Sequence, residues 1–232
     1  MKQVLLAIFL AAGTAPLGAQ TVDVGHPPPR SPYRDLDYKQ EAGVFGGYYL
    51  AGKDPAGVAP RSGPMFGIRY EVSVGGPAQI VAKLSRVMSE RQVINPVEPQ
   101  NARDLGIQSW PLYLADFGMS LNLTGQRSYR GIVPVVYGGI GLASDIGKDV
   151  EEDPFKLGTT FAFSLSTGLR FVTGDRFHVR ADAGTTFYQM EYPSAYYGVT
   201  SDNTAFLDSD QATKFWKRNF GFTLGGSYQL FR

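Results

Sequence analysis

Between residues 41 and 230, apolar and polar side chains alternate with a period of two over eight separate stretches, the pattern of pleated strands with one apolar face each. Met65 to Val74 places Phe66, Ile68, Tyr70, Val72 and Val74 on one face, against Met65, Gly67, Arg69, Glu71 and Ser73. Phe161 to Phe171, Phe177 to Phe187 and Asn219 to Leu230 alternate as regularly, with Leu165, Val179 and Leu224 on apolar faces and Ser166, Arg180 and Gly225 opposite. Glu41 to Leu50, Ala78 to Leu84 and Tyr113 to Leu123 are weaker repeats of the pattern. Gly131 to Leu142 is the least regular, with Ile132, Val133, Val135 and Val136 on both faces. Its Pro134 has no N–H for a ladder, which predicts a bulge or a strand start there.

No charged residue falls on the apolar face of these eight segments. A lipid-facing surface requires this, because a cation at mid-membrane depth costs about 2–4 kcal/mol. A soluble sandwich also alternates, so the connections decide between the two. Gly75-Gly76-Pro77, Gly125 to Arg130 and Thr173-Gly174-Asp175 are short, whereas Ala51 to Pro64, Arg86 to Trp110, Ser144 to Lys156 and Glu191 to Lys214 are long. Strict alternation of short turns and long loops predicts an all-β, eight-stranded antiparallel up-and-down transmembrane barrel with both termini on the short-turn, periplasmic side. Aromatic residues fall near the strand ends: Tyr48, Phe66, Tyr113, Phe161, Phe187 and Phe220 toward the outer rim, and Phe171, Phe177 and Tyr228 toward the inner one, as expected of rings seeking headgroup depth.

Composition agrees. The chain has 28 glycines and 13% aromatic residues, a mixture that suits pleated surfaces and weakens helices. No run approaches the ~20 apolar residues of a spanning helix. The absence of cysteine excludes disulfides and thiolate metal sites, and the net charge of +1 gives no basis for nucleic-acid binding. Ahead of the strands, Lys2, the apolar Val4 to Ala12 and Leu17-Gly18-Ala19 read as a cleaved signal peptide over residues 1–19. Residues 20–40, with Pro27-Pro28-Pro29, read as a proline-rich periplasmic linker, leaving 41–232 for the barrel.

The inward face carries Arg69, Glu71, Lys83, Asp116, Arg170, Arg180 and Asp182 in one band. Pairing Val74 with Ala78 sets Arg69 opposite Lys83, with Glu71 expected between the two cations. His178 is expected inside as well, facing Arg170 across its hairpin. An eight-stranded interior is just filled by side chains, so the band reads as a charge-balanced plug; the sharper reading is an ion path.

Other motifs carry less. Gly138-Gly139-Ile140-Gly141 lacks the helix of a phosphate loop and reads as packing space. Asp145, Asp149, Glu151, Glu152 and Asp153 lack calcium-loop spacing and read as a solvated loop tip. The two histidines, His26 in the linker and His178 beside an inner turn, are badly placed to serve as a rim acid or base, so no enzyme, metal site or cofactor is expected. The fourth loop region carries Tyr196, Tyr197, Phe206 and Trp216, where an extracellular ligand could meet the protein.

The C-terminus supplies a resemblance. Thr223 to Leu230 follows a polar-x-Gly-x-x-apolar-x-apolar pattern through Gly225, Tyr228 and Leu230, and Phe231 is a near-terminal aromatic, followed here by Arg232. This resembles the terminal-strand signal of outer-membrane barrels. With eight strands the chain resembles the small-barrel class of the OmpA membrane domain, OmpX and OmpW. The resemblance implies a bacterial outer-membrane location, with outer-membrane lipid and the barrel-assembly machinery as partners. It leaves two roles open: a structural or adhesive barrel with a plugged lumen, or, as in OmpW, a narrow channel for small hydrophobic molecules.

Overall fold

A computed structural model of the chain describes residues 31–36, 39–145, 150–174 and 176–231. The expected signal peptide, the triple proline and His26 fall outside the described residues. Twelve strands follow in order: β1 (Tyr33–Asp35), β2 (Gln40–Leu50), β3 (Gly63–Gly75), β4 (Ala78–Val87), β5 (Glu90–Ile94), β6 (Asp104–Ser109), β7 (Leu112–Asn122), β8 (Arg127–Tyr129), β9 (Ile132–Asp145), β10 (Thr159–Val172), β11 (Phe177–Glu191) and β12 (Lys214–Phe231). Eight of them, β2, β3, β4, β7, β9, β10, β11 and β12, pair antiparallel in a ring that β12 closes onto β2. These are the eight stretches that the alternation predicts.

Their faces are inside out relative to a soluble sandwich. Val44, Phe117 and Leu224 are 67%, 59% and 62% exposed, whereas Arg170 and Asn219 on the inward face are fully buried. A continuous apolar outer surface around a polar interior is stable only when hydrocarbon rather than water surrounds it.

The strands are longer than the alternation suggests. β12 begins at Lys214, not Asn219, and β11 runs on to Glu191. In these extensions the outward positions include Glu191, Lys214 and Arg218, so the charge-exclusion signal stops where the apolar belt stops. The second long connection also hides a hairpin. β5 pairs with β6 in the same register that joins β4 to β7, Val87 meeting Leu112 and Glu90 meeting Ser109. The β4–β7 hairpin therefore continues beyond the barrel as a projecting arm.

Two local expectations change. Pro134 makes no bulge: it is the third residue of β9, paired in register with Leu169. The β7–β9 ladder ends one residue later, at Asn122 and Val135, and Pro134 only accepts there, from Leu123 N at 2.8 Å, so its lost donor falls at the ladder's end. Within the expected linker, Tyr33–Asp35 is a strand on β8, with Arg127 Nε 2.9 Å from Asp35 and the Tyr33 and Tyr129 rings 5.4 Å apart. That part of the tether is docked onto the inner turn.

Candidate functional site

The inward side chains form three layers along the barrel. The lowest is the charged band. Glu71 on β3 accepts from Arg180 Nη1 on β11 at 2.6 Å and from Arg170 Nη2 on β10. β3 and β10 lie four strands apart in a ring of eight, so this ion pair crosses the full diameter. Asp182 accepts from Arg180 Nε and from Arg69 Nη2, both at 2.8 Å, a second crossing just above the first. Gln79 Oε1 accepts from Arg170 at 3.2 Å and from Ser120 Oγ at 2.9 Å. Lys83 stands apart, 3.9 Å from Asp116, with its ammonium 3.7 Å from the centre of the Tyr137 ring. Asp116 accepts in turn from Ser164 Oγ at 2.7 Å.

Glu71 does lie beside Arg69, its Oε1 3.7 Å from Arg69 Nε, but Lys83 is paired with Asp116. Arg69 and Lys83 are registered as the sequence predicts, although the hairpin reaches that register through an irregularity between Ser73 and Gly75, so that Gly75 rather than Val74 meets Ala78. Arginines reaching from across the barrel claim Glu71, a contact that hairpin geometry alone does not reveal. His178 likewise faces Val172, not Arg170, while Arg170 is registered to Arg180.

His178 belongs to a cluster at the inner end that the sequence reading misses. Its Nδ1 lies 3.1 Å from Glu41 Oε2 and its Nε2 3.0 Å from Gln229 Nε2. Glu41 also accepts from Ser227 Oγ and lies 3.9 Å from Arg170. Glu41 is the second residue of β2, on the inward face, so the alternation rule already contained it, but its position next to the strand boundary hides it. In the completed band four carboxylates, Glu41, Glu71, Asp116 and Asp182, meet four cations, Arg69, Lys83, Arg170 and Arg180. Charges so buried persist only when paired.

The glycine run beside the band is packing space. The Tyr137 hydroxyl occupies the position that a Gly139 Cβ would take, and a Cβ at Gly141 would meet the Ala115 carbonyl of β7. Above the band is a cavity of about 70 Å³ lined by Ser164, Thr186, Thr223 and Lys83 among others, room for a few waters only. An apolar cluster then closes the upper barrel, with Tyr49, Met65, Leu112, Leu114, Tyr188 and Met190 buried together with Val58, Phe155, Tyr192, Tyr196 and Leu207 from the loops.

Buried polar ties hold the loops over this cluster. Arg91 on the arm donates to Asp153 of the third long loop at 2.6 Å, and its guanidinium lies 4.0 Å from the Trp110 ring. Arg103 reaches the fourth long loop, donating to the Thr204 carbonyl at 2.9 Å, to Thr204 Oγ1 at 2.7 Å and to Thr200 Oγ1 at 3.0 Å. Tyr192 donates to Asp54 of the first, which also accepts from Ala59 N at 2.6 Å. Burial and the neighbouring carboxylates raise the Tyr192 and Tyr196 hydroxyls far above the usual phenol range.

These contacts correct the loop expectations. Asp153 is 3% exposed and ion-paired, so the acidic loop is not wholly a solvated tip; Asp149 lies outside the described residues. Tyr196 is fully buried and donates to Asp153 at 3.3 Å, which removes it from any ligand surface. Trp216 is not a loop residue but an outward residue of β12, 5.3 Å from Phe163. Arg91 and Arg103 carry no sequence signal, since a loop cation paired at long range looks like any solvated one. Among the described residues, no group of His, Asp and Glu is arranged to hold a metal ion.

No protein-family model matches the chain, and no curated protein matches it. Solved structures do. The outer membrane protein OprG from Pseudomonas aeruginosa is similar at 11% identity and a TM-score of 0.50, over 85% of this chain and 99% of that one. The N-terminal β-barrel domain of Pseudomonas aeruginosa OprF and Neisserial surface protein A align at TM-scores of 0.45, with 11% and 12% identity, over 84% and 86% of this chain and 98% of each of theirs. The chain has the fold of the small eight-stranded outer-membrane β-barrels. At such identities the likeness is one of architecture, and the filling of the barrel is a property of this chain's own residues.

Proposed function

We propose that this protein is a non-enzymatic barrel of the bacterial outer membrane, its termini periplasmic, with a charge-plugged lumen and a structural or adhesive role carried by its extracellular loops. The crossing of the lumen by Glu71, Arg170 and Arg180 carries the reading. An ion moving through would have to separate these pairs, and an unpaired buried charge costs about 3–5 kcal/mol. The apolar cluster and tied loops add a second closure above. A path for small hydrophobic molecules needs an apolar pocket opening from the outer rim; the upper lumen is instead filled by the apolar cluster under the loops, and the cavity beneath it holds only about 70 Å³, which weighs against it.

The non-enzymatic part rests on His178. Both of its ring nitrogens are engaged and it is buried at the inner end. Ser227, Glu41 and His178 do form a chain, but the carboxylate is in the middle, so no imidazole stands next to the hydroxyl to take its proton.

The test measures conductance and stability on one refolded preparation. The wild type conducts ions poorly in planar bilayers. Glu71→Ala leaves Arg170 and Arg180 short of opposing charge, so water enters, conductance rises and stability falls together. Strong conductance by the wild type, unchanged in Glu71→Ala, refutes the plug.

A further inference from the structure

Above the lipid belt the ring parts at one seam. The ladder between β10 and β11 stops at Ala162 and Tyr188, although both strands run on. Beyond that pair, Thr159, Thr160 and Phe161 stay registered to β9, as far as Ser144. Gln189, Met190 and Glu191 likewise stay registered to β12, as far as Lys214. A continued ladder would set Phe161 against Gln189 and Thr159 against Glu191. Instead an open groove of about 710 Å³ separates the two strand ends. Thr159, Thr160 and Gln189 line it together with Leu157, Met190 and Tyr192 and a proline from each flanking loop. Among the described residues, no strand pairs with the facing edges of β10 and β11 along these three residues.

Two facing strand edges specify an occupant more closely than the mixed lining does. Each edge presents backbone N–H and C=O groups in a row, and such a row is a template for another strand. An acyl chain has no groups to bond with it. An extended peptide matches both edges at once, because successive residues direct their N–H and C=O groups to opposite sides. Since β10 and β11 are antiparallel, a strand between them runs antiparallel to one and parallel to the other. Its side chains alternate between two faces, one set meeting Leu157, Met190 and Tyr192 and the other lying outward in the row of Phe161. We propose that the split seats an extended segment of an extracellular protein as an inserted β-strand, with apolar residues at its inward positions. Main-chain bonds then supply the affinity and the alternate side chains the specificity. The inference deepens the adhesive reading by naming the chemistry of its partner; it is independent of whether the lumen is plugged.

The probe is an amidated pentapeptide of alternating threonine and valine with an N-terminal fluorophore, titrated with refolded protein in neutral micelles and followed by anisotropy. Saturable binding is expected, and its absence overturns the proposal. Two N-methylated versions, one blocking the odd and one the even backbone nitrogens, each lose the donors of one peptide edge. Each should bind about tenfold more weakly, the cost of about two backbone hydrogen bonds. If either binds as well as the parent, the peptide is not seated between two edges and the proposal falls. The chain has no cysteine, so Phe161→Cys/Gln189→Cys, at two exposed outward positions, can be bridged across the mouth by a bis-methanethiosulfonate reagent. Bridging should abolish binding and reduction should restore it; unchanged binding by the bridged form overturns the proposal. The methylated peptides need only the wild-type chain, so the test holds even if the cysteine variant fails to give the fast-migrating barrel form on unboiled gels. Attachment of expressing bacteria to a cultured cell layer is scored alongside. Attachment without peptide binding refutes the groove and spares the adhesive reading, whereas binding without attachment does the reverse.

Discussion

The ion pair of Arg91 with Asp153 shows how one residue can order a whole loop layer. Both side chains are essentially removed from water, with Asp153 also accepting from Phe155 N at 2.9 Å and Tyr196 at 3.3 Å. Such a pair adds little over an apolar filling, but breaking it strands a buried charge. Arg91→Ala should therefore destabilise the folded protein by about 3–5 kcal/mol, measured by urea titration of refolded barrel in micelles. Replacing both partners together, as Arg91→Met with Asp153→Leu, should recover much of that loss. If Arg91→Ala alone is neutral, the pair is not buried in solution. Gly139 presents the opposite case, where absence of a side chain is what matters: Gly139→Val collides with the Tyr137 hydroxyl, and overpacking of this kind costs typically 1–3 kcal/mol.

For the strands, the outward face divides into a lipid belt and a rim, and substitutions should report the division. Leu165, 54% exposed in mid-strand, should lose about 2–4 kcal/mol on Leu165→Arg. Gln189→Arg, two outward rows above that position on β11 and one above the stacked Phe163 and Phe187, should be nearly neutral, since charge near the interface costs little. Equal penalties at the two sites would mean the belt extends beyond the row of Phe163 and Phe187. Between the loops, Asp202 accepts from Gln100 N at 2.8 Å and from Thr200 and Thr204, and these bonds hold its carboxyl well below the usual range. A depressed folded value means that the tie is present above the unfolded carboxylate range and is lost as pH falls through the folded value. The arm and the fourth loop should thus stay resistant to protease from neutral pH to below pH ~4. Asp202→Asn, which keeps an acceptor oxygen but removes the charge at every pH, should leave the Arg103 ties in place and make cleavage slightly faster and independent of pH over the acid range.

The eight barrel strands close into a ring with no edge strand, so the barrel should unfold as a unit, resist detergent and migrate faster unboiled than boiled. Expressed as the full chain, it should fractionate with outer membrane; recovery from the soluble periplasm would defeat the assignment of its apolar face to lipid. Closure also explains the charged band. Eight strands leave an interior that side chains can span, which lets Glu71 on one wall reach Arg170 on the opposite wall. In a wider barrel the same residues would be solvated and separate.

Eight strands, their two faces and the alternation of short and long connections were legible in the amino-acid sequence, because period-two patterning and exclusion of charge from hydrocarbon are local rules that each strand obeys alone. The same rule brought Arg69, Glu71, Arg170, Arg180 and Asp182 to one face, and Glu41 was within its reach. Which of them touch was not legible. Glu71 pairs across the lumen with Arg170 and Arg180 as well as with Arg69 on its own strand, and His178 finds Glu41, because ring closure joins residues about a hundred positions apart. Above the rim the local rule fails altogether. No lipid imposes a face on β5, β6 or the upper turns of β11 and β12, so the projecting arm, the buried Arg91 and Asp153 pair and the inward turn of Tyr196 were decided only by how four loops pack over one apolar cluster.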